Sequence, residues 1–160
     1  DRKFSDIGNT VIKQIEAYNI NKWADIVTVQ GLPGYSTIQT VIETGLSILL
    51  IAEMSSDNNL ITEEYTKQII NLADHYEQHV VGFVAQQKLS PKFMTFTPGI
   101  SVSAASSRTD GLGQQYRTIE ECDSDFFIVG RSIYESANPC EVAKSYNKST
   151  VATAETTVSV

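Results

Sequence analysis

Cysteine, histidine and tryptophan are scarce in this chain, at two, two and one among 160 residues. Cys122 and Cys140 sit in neither a metal-ligand nor a redox spacing, and two cysteines do not build a disulfide framework. They read as reduced, partly buried thiols. His75 and His79 lie at helical i, i+4 spacing without an HExxH pattern, so they read as surface or cap residues, and no metal is expected. Charged residues are sparse at 19%, which leaves the polar surface to Ser, Thr and Asn or covered by a partner chain. The charge that exists is mostly acidic. A net charge of −7 argues against non-specific binding to nucleic acid or to an anionic membrane. Long apolar runs are missing too: the stretch Leu46 to Ala52 is far short of the roughly 20 residues a membrane span needs. There is no initiating methionine and no signal-like segment, so either something was removed or the numbering starts inside a longer product. Asn147-Lys148-Ser149 is a sequon, a weak signal outside a secretory context.

What is present alternates. Asn9 or Thr10 can cap a helix over Val11 to Tyr18. Trp23 to Val29 reads as a buried strand, ended by Gly31 and the Pro33-Gly34 turn. A helix over Tyr35 to Glu43 stops at Thr44-Gly45. Ser47 to Met54 is the clearest strand: continuous apolar residues, then a polar end, as expected for a parallel strand buried on both faces. Thr62 caps the next helix, with Glu63 and Glu64 in its first turn and Tyr65, Ile69, Leu72 and Tyr76 as its apolar stripe. Val80 to Ala85, Phe93 to Phe96 and Phe126 to Val129 complete five strands. Thr118 with Glu121 suggests a capping box, and Asn138, Pro139 and Glu141 open a last helix over Pro139 to Lys148. The expected division is one α/β domain over 1–148 and a loose tail over 149–160. Periodicity alone leaves two architectures open, a small doubly wound sheet or part of a barrel.

Three constellations carry candidate chemistry. In Asp1-Arg2-Lys3-Phe4-Ser5-Asp6, residues 1 and 3 share a face of an extended segment, and a carboxylate beside an ammonium keeps both charged. An ordinary charged strand end is the alternative. In Glu53-Met54-Ser55-Ser56, a serine at the mouth of the best strand can hold a ligand or cap the next element. The third is Gly111-Leu112-Gly113-Gln114-Gln115-Tyr116 with Gly130-Arg131. Its glycines admit an anion, its Gln and Tyr donate hydrogen bonds, and its arginine offers a bidentate clamp suited to phosphate.

The segments DRKFSDIGNT at 1–10, AEMSS at 52–56, TPG at 97–99, DGLGQQY at 110–116 and IVGR at 128–131 together resemble orotidine 5'-monophosphate decarboxylase of the eukaryotic type. The likeness is placed in that family's C-terminal portion only. It implies a partial (β/α)8 TIM barrel, strands four to eight plus the end of strand three. It implies decarboxylation of orotidine 5'-monophosphate to uridine 5'-monophosphate in pyrimidine biosynthesis, a cytoplasmic reaction without metal or organic cofactor. Lys3 would then protonate the pyrimidine carbon as carbon dioxide leaves, and Asp1 would orient Lys3. Asp6 and Thr10 would reach the partner's site in a homodimer. Ser55 would contact the pyrimidine; Gln114, Tyr116 and Arg131 would grip the phosphate; and the loop after Pro98 would close over the ligand.

The family's upstream lysine and first strands have no counterpart in the sequence. Ser132 stands where the family usually has glycine, and Gln30 where it typically has histidine. The chain is accordingly expected to be a fragment, completed by a missing N-terminal half as a separate chain or unseen segment, and unstable alone. Two other functions stay open: a non-catalytic, decarboxylase-derived structural subunit of a larger assembly, and a nucleotide-binding module that keeps only the phosphate clamp.

Overall fold

The computed structural model describes residues 1–101, 109–111 and 113–147. Residues 1–4 run beside the first strand: the Phe4 N–H donates to the Thr28 carbonyl (3.0 Å), and the Gln30 N–H donates to the Phe4 carbonyl (2.8 Å). Helix α1 (Gly8–Ala17) buries Val11 and Ile15, an i, i+4 pair. Its N-cap is Ile7, not Asn9 or Thr10, and no side chain caps it. A 3-10 turn (Ile20–Lys22) then leaves Trp23 exposed, its indole N–H donating to the Tyr18 carbonyl (3.2 Å). Strand β1 (Ile26–Gln30) therefore starts three residues later than the apolar run suggests.

The remaining units follow the expected alternation: α2 (Tyr35–Glu43), β2 (Ser47–Ile51), α3 (Glu63–His75), β3 (Val80–Val84), β4 (Met94–Pro98) and β5 (Phe126–Ile128). Thr62 caps α3 as its residue type demands, its hydroxyl accepting the Tyr65 N–H (3.2 Å). A short helix α4 (Arg131–Tyr134), not anticipated, follows β5, and residues 139–147 are helical. Thr118 and Glu121 make only half a capping box, the Thr118 N–H donating to Glu121 Oε2 (3.0 Å) at a turn rather than a helix start. The expected tail over 149–160 lies outside the described residues. Among those described, no helix is long and apolar enough to cross a membrane.

All neighbouring strands are parallel and stand in the order β1-β2-β3-β4-β5. A doubly wound sheet reverses direction at a switch point and takes helices on both faces. Among the described residues this sheet does neither. Val27, Val29, Ile48, Leu50 and Phe83 point to the face covered by α1, α2 and α3, where Val11, Ile15, Ile38, Val41, Ile69 and Leu72 complete the main core. On the same side beyond β5, Tyr146 packs with Ile100, Ile119, Phe127 and Val142. Among the described residues the opposite face carries a small cluster of Leu49, Ile51 and Val84 with Met54 and Phe96.

The expectation of a partial barrel made of strands four to eight plus the end of strand three is corrected here. One parallel five-stranded sheet with flanking helices runs through nearly the whole chain, and its strands are counted from its own first member. A βα pattern carries strand number and order, but no residue marks a strand's ordinal position within a barrel.

Candidate functional site

Five of the expected residues meet at the C-terminal ends of the strands. Lys3, Ser55, Pro98, Gln114 and Arg131 line one cavity of about 360 Å³, with Ile51, Glu53, Met54, Val84, Asp110 and Gly113. That is the end at which parallel α/β folds place ligands, and the volume lies within the range of about 300–1,000 Å³ typical of small-molecule sites.

Backbone hydrogen bonds assemble the rim. The loop after β2 is zipped to the 113–115 segment: the Asp57 N–H donates to the Gly113 carbonyl (2.8 Å), and the Gln115 N–H to the Ser55 carbonyl (3.0 Å). The Arg117 N–H donates to the Gly99 carbonyl (2.8 Å), which ties in the end of β4. Gly99 has φ +78°, and a Cβ there would run into the Gln115 carbonyl and the Gln114 amide. The Ser55 hydroxyl donates to Gln114 Oε1 (3.2 Å), so the expected pyrimidine contact and the expected phosphate contact hold one another.

On one side of the cavity Lys3 Nζ donates to Asp1 Oδ2 in an ion pair. Lys3 has a left-handed backbone, φ +49°, which few non-glycine residues adopt. On the other side Arg131 donates to Asp110 Oδ2, while Asp110 Oδ1 accepts the Gln114 N–H (3.0 Å). The hydrogen bond to Asp110 raises the pKa of the Arg131 guanidinium, which is charged in any case.

Asp1 joins the site through Lys3 without lining the cavity. Asp6 and Thr10 do not line it either. Asp6 is exposed, its Oδ1 accepting the Ile7 N–H (2.7 Å), and Thr10 sits in the first turn of α1. Tyr116 is half-buried beside the cavity rather than on its wall. Most of the expected loop after Pro98, and Leu112 of the glycine segment, lie outside the described residues. Sequence reasoning missed Asp110 as a site residue, although it opens the DGLGQQY segment, and it missed Thr28, the lone hydroxyl in an apolar strand. Glu53 bridges to the next strand's loop, accepting from the Gln86 N–H (2.7 Å) and from Gln87 Nε2 (3.1 Å). Beyond Glu53 a second, more open groove of about 610 Å³ is lined by Thr62, Lys67, Gln86 and Arg117 among others.

Residues 1–146 match the family described as "Orotidine 5'-phosphate decarboxylase / HUMPS family". The chain belongs to that decarboxylase family. It is 42% identical over 160 residues to uridine 5'-monophosphate synthase of Bos taurus, covering 92% of this chain and 33% of that protein. It is 41% identical over 162 residues to orotidine 5'-phosphate decarboxylase of Schizosaccharomyces pombe, covering 92% and 60% respectively. The chain thus spans between a third and three-fifths of the length of these two curated relatives. Among solved structures, orotidine 5'-phosphate decarboxylase of Pyrococcus horikoshii matches with a TM-score of 0.64 at 26% identity, over 89% of this chain and 68% of that one. The enzyme of Sulfolobus solfataricus matches with a TM-score of 0.66 over 91% and 69%, and at 19% identity that likeness shows the fold alone.

The comparisons correct two further expectations. They are a likeness confined to a C-terminal portion and a chain that is a fragment. The family match starts at residue 1 and the relatives align over 92% of the chain, so the homology takes in nearly all of it.

Proposed function

We propose that the protein is a lyase that decarboxylates orotidine 5'-monophosphate to uridine 5'-monophosphate, a step of pyrimidine biosynthesis. The observation that carries this reading is one cavity with the Lys3 ammonium on one side and the Gln114 and Arg131 donors on the other. A nucleoside monophosphate has complementary ends. Its phosphate suits a guanidinium and an amide, and its base suits the Lys3 side and Ser55. In this reading Arg131, Gln114 and Tyr116 hold the phosphate, and Arg131 exchanges Asp110 for the incoming anion. Asp1 lies near the substrate carboxylate and orients Lys3. The bond from the ring carbon to the carboxylate breaks, carbon dioxide leaves, and the electron pair stays on the ring carbon. Lys3 Nζ delivers the proton there as a general acid. Binding energy from the remote phosphate offsets the cost of placing the reacting carboxylate in a preorganised charged site. The residues supply this chemistry without metal or organic cofactor.

Asp6 and Thr10 lie off the cavity with Ile7 exposed between them in sequence, which suits a homodimer whose partner's site they complete. An acidic chain fits a cytoplasmic setting without nucleic-acid or membrane partners.

A second reading is a non-catalytic structural subunit. The exposed Met94, Phe126 and Ile128 favour it, as apolar surface a larger assembly would cover. Calorimetry with uridine monophosphate separates the two. The enzyme reading expects binding that weakens by about 10- to 100-fold in Arg131→Ala, the loss of one charge-assisted clamp. Wild-type protein that binds no nucleotide would overturn it in favour of the structural role.

A further inference from the structure

Thr28 lies at the centre of β1, on the opposite face from the main core. Its hydroxyl uses its whole hydrogen-bonding capacity on one neighbour, the segment that carries the proton donor. Oγ1 accepts the Lys3 N–H (2.8 Å) and the Arg2 N–H (3.1 Å), and donates to Asp1 Oδ1. A hydroxyl has one proton and two acceptor lone pairs, so nothing is left over. The other Asp1 oxygen, Oδ2, accepts from Lys3 Nζ. The Thr28 carbonyl meanwhile accepts the Phe4 N–H (3.0 Å). One residue thus fixes the backbone of residues 2–4 and sets the rotation of the Asp1 carboxylate that holds the ammonium.

This matters because the Lys3 backbone is not held by its own preference. At φ +49° a lysine sits in a sparsely populated region that persists only where the surroundings over-determine it. The Arg2 and Lys3 N–H bonds accepted by Thr28 Oγ1 and the Phe4 bridge are those surroundings.

We infer that Thr28 is a positioning residue for the Lys3 proton donor, acting through Asp1 and through the 2–3 backbone without touching substrate. The inference rests on the decarboxylase reading. A valine at position 28 has nearly the same shape but no hydroxyl. It leaves two N–H groups and one carboxylate oxygen without their partner and frees the Asp1–Lys3 pair to rotate.

The test compares wild type, Thr28→Val and Thr28→Ser for turnover of orotidine monophosphate, for uridine monophosphate affinity by calorimetry, and for thermal unfolding. Thr28→Val should lose roughly a hundredfold in kcat, the cost of a misplaced catalytic group, with KM and nucleotide affinity within about twofold of wild type. Thr28→Ser restores the hydroxyl and should recover most of the rate. A merely structural role would lower the melting temperature and nucleotide affinity together and would not separate kcat from KM. Should Thr28→Val not fold, Thr28→Ala against Thr28→Ser makes the same comparison. Wild-type kcat in Thr28→Val, or no recovery in Thr28→Ser, overturns the inference alone. Wild-type protein that binds the nucleotide but turns nothing over overturns the decarboxylase reading, and the inference with it.

Discussion

The two faces of the sheet are made by the same strands and differ in how they are covered. On the helix side Val27, Val29, Ile48, Leu50 and Phe83 are buried, and three helices supply the complementary surface. One residue along each strand, side chains turn to the other face. There Leu49, Ile51 and Val84 are buried in a small cluster, while Ile26, Met94, Phe126 and Ile128 around it are 46%, 46%, 48% and 44% exposed. Phe96 and Phe126 stack on that face with centroids 4.7 Å apart, and Phe96 packs against the small cluster there. The helix side is where stability resides. The other side carries the functional rim at its C-terminal end: Thr28 with Lys3 and Asp1 at one edge, Pro98 and Arg131 towards the other. Hydrophobic type alone does not distinguish the two faces. The covering elements do.

That contrast can be broken first by paired truncations. Phe83→Ala removes a fully buried ring packed edge-on against Phe93 and should cost about 3–5 kcal/mol in denaturant unfolding. Phe126→Ala on the open face should cost about 1 kcal/mol or less, since half the ring is already in solvent. Equal losses would mean that the open face is covered in solution. Next comes Gly99→Ala, which combines a φ of +78° with a collision against the Gln114–Gln115 backbone and amide. It should cost about 1–3 kcal/mol and weaken uridine monophosphate binding with it. Loss of stability with unchanged affinity would separate Gly99 from the rim.

Asp110→Asn sharpens the picture of the Arg131 side. If the carboxylate competes with the ligand phosphate for the guanidinium, the amide should tighten uridine monophosphate binding by up to about fivefold, the worth of a partly exposed ion pair. Weaker binding would show instead that Asp110 holds Arg131 in its binding pose.

The smallest effect is pH-dependent and lies away from the site. Burial pushes the Asp125 carboxyl up, but Lys88 at 2.6 Å and the Thr95 N–H at 2.7 Å outweigh it and leave the pKa below the usual carboxylate value. A folded-state pKa depressed in this way stabilises the protein above the ordinary carboxylate pKa, and that contribution is lost as pH falls through the lowered value. Acid titration of unfolding should therefore be shallower in Asp125→Asn than in wild type. Parallel curves would remove Asp125 as a contributor.

Much of this was legible in the residues, for local reasons. Thr62 followed by two glutamates and an i, i+4 stripe announces α3, and its cap forms as read. The continuous run 47–51 announces a strand buried on both faces. The misreadings also have local causes. Trp23 is apolar but sits outside β1 after a 3-10 turn, because residue type does not fix where a strand begins. Helix α1 begins before Asn9 and Thr10 because Ile7 already has the extended backbone of an N-cap. Of the site, Lys3, Ser55, Gln114 and Arg131 could be named from short segments, and the cavity they share became visible only with the fold. Thr28 and Asp110 were out of reach for a different reason. Their roles depend on partners 27 and 21 positions away, and no local spacing encodes such contacts.

The most direct test of the account is turnover itself: release of carbon dioxide from carboxyl-labelled orotidine monophosphate by wild type and by Lys3→Ala. One uridine monophosphate should form per carbon dioxide, without added metal, and the rate should be about 10²–10⁴-fold lower in the variant, the range for loss of a positioned general acid. Nucleotide affinity should be retained, because Arg131 and Gln114 are untouched. Equal turnover in the two proteins would contradict the assignment of Lys3, and no turnover in either would contradict the decarboxylase reading as a whole.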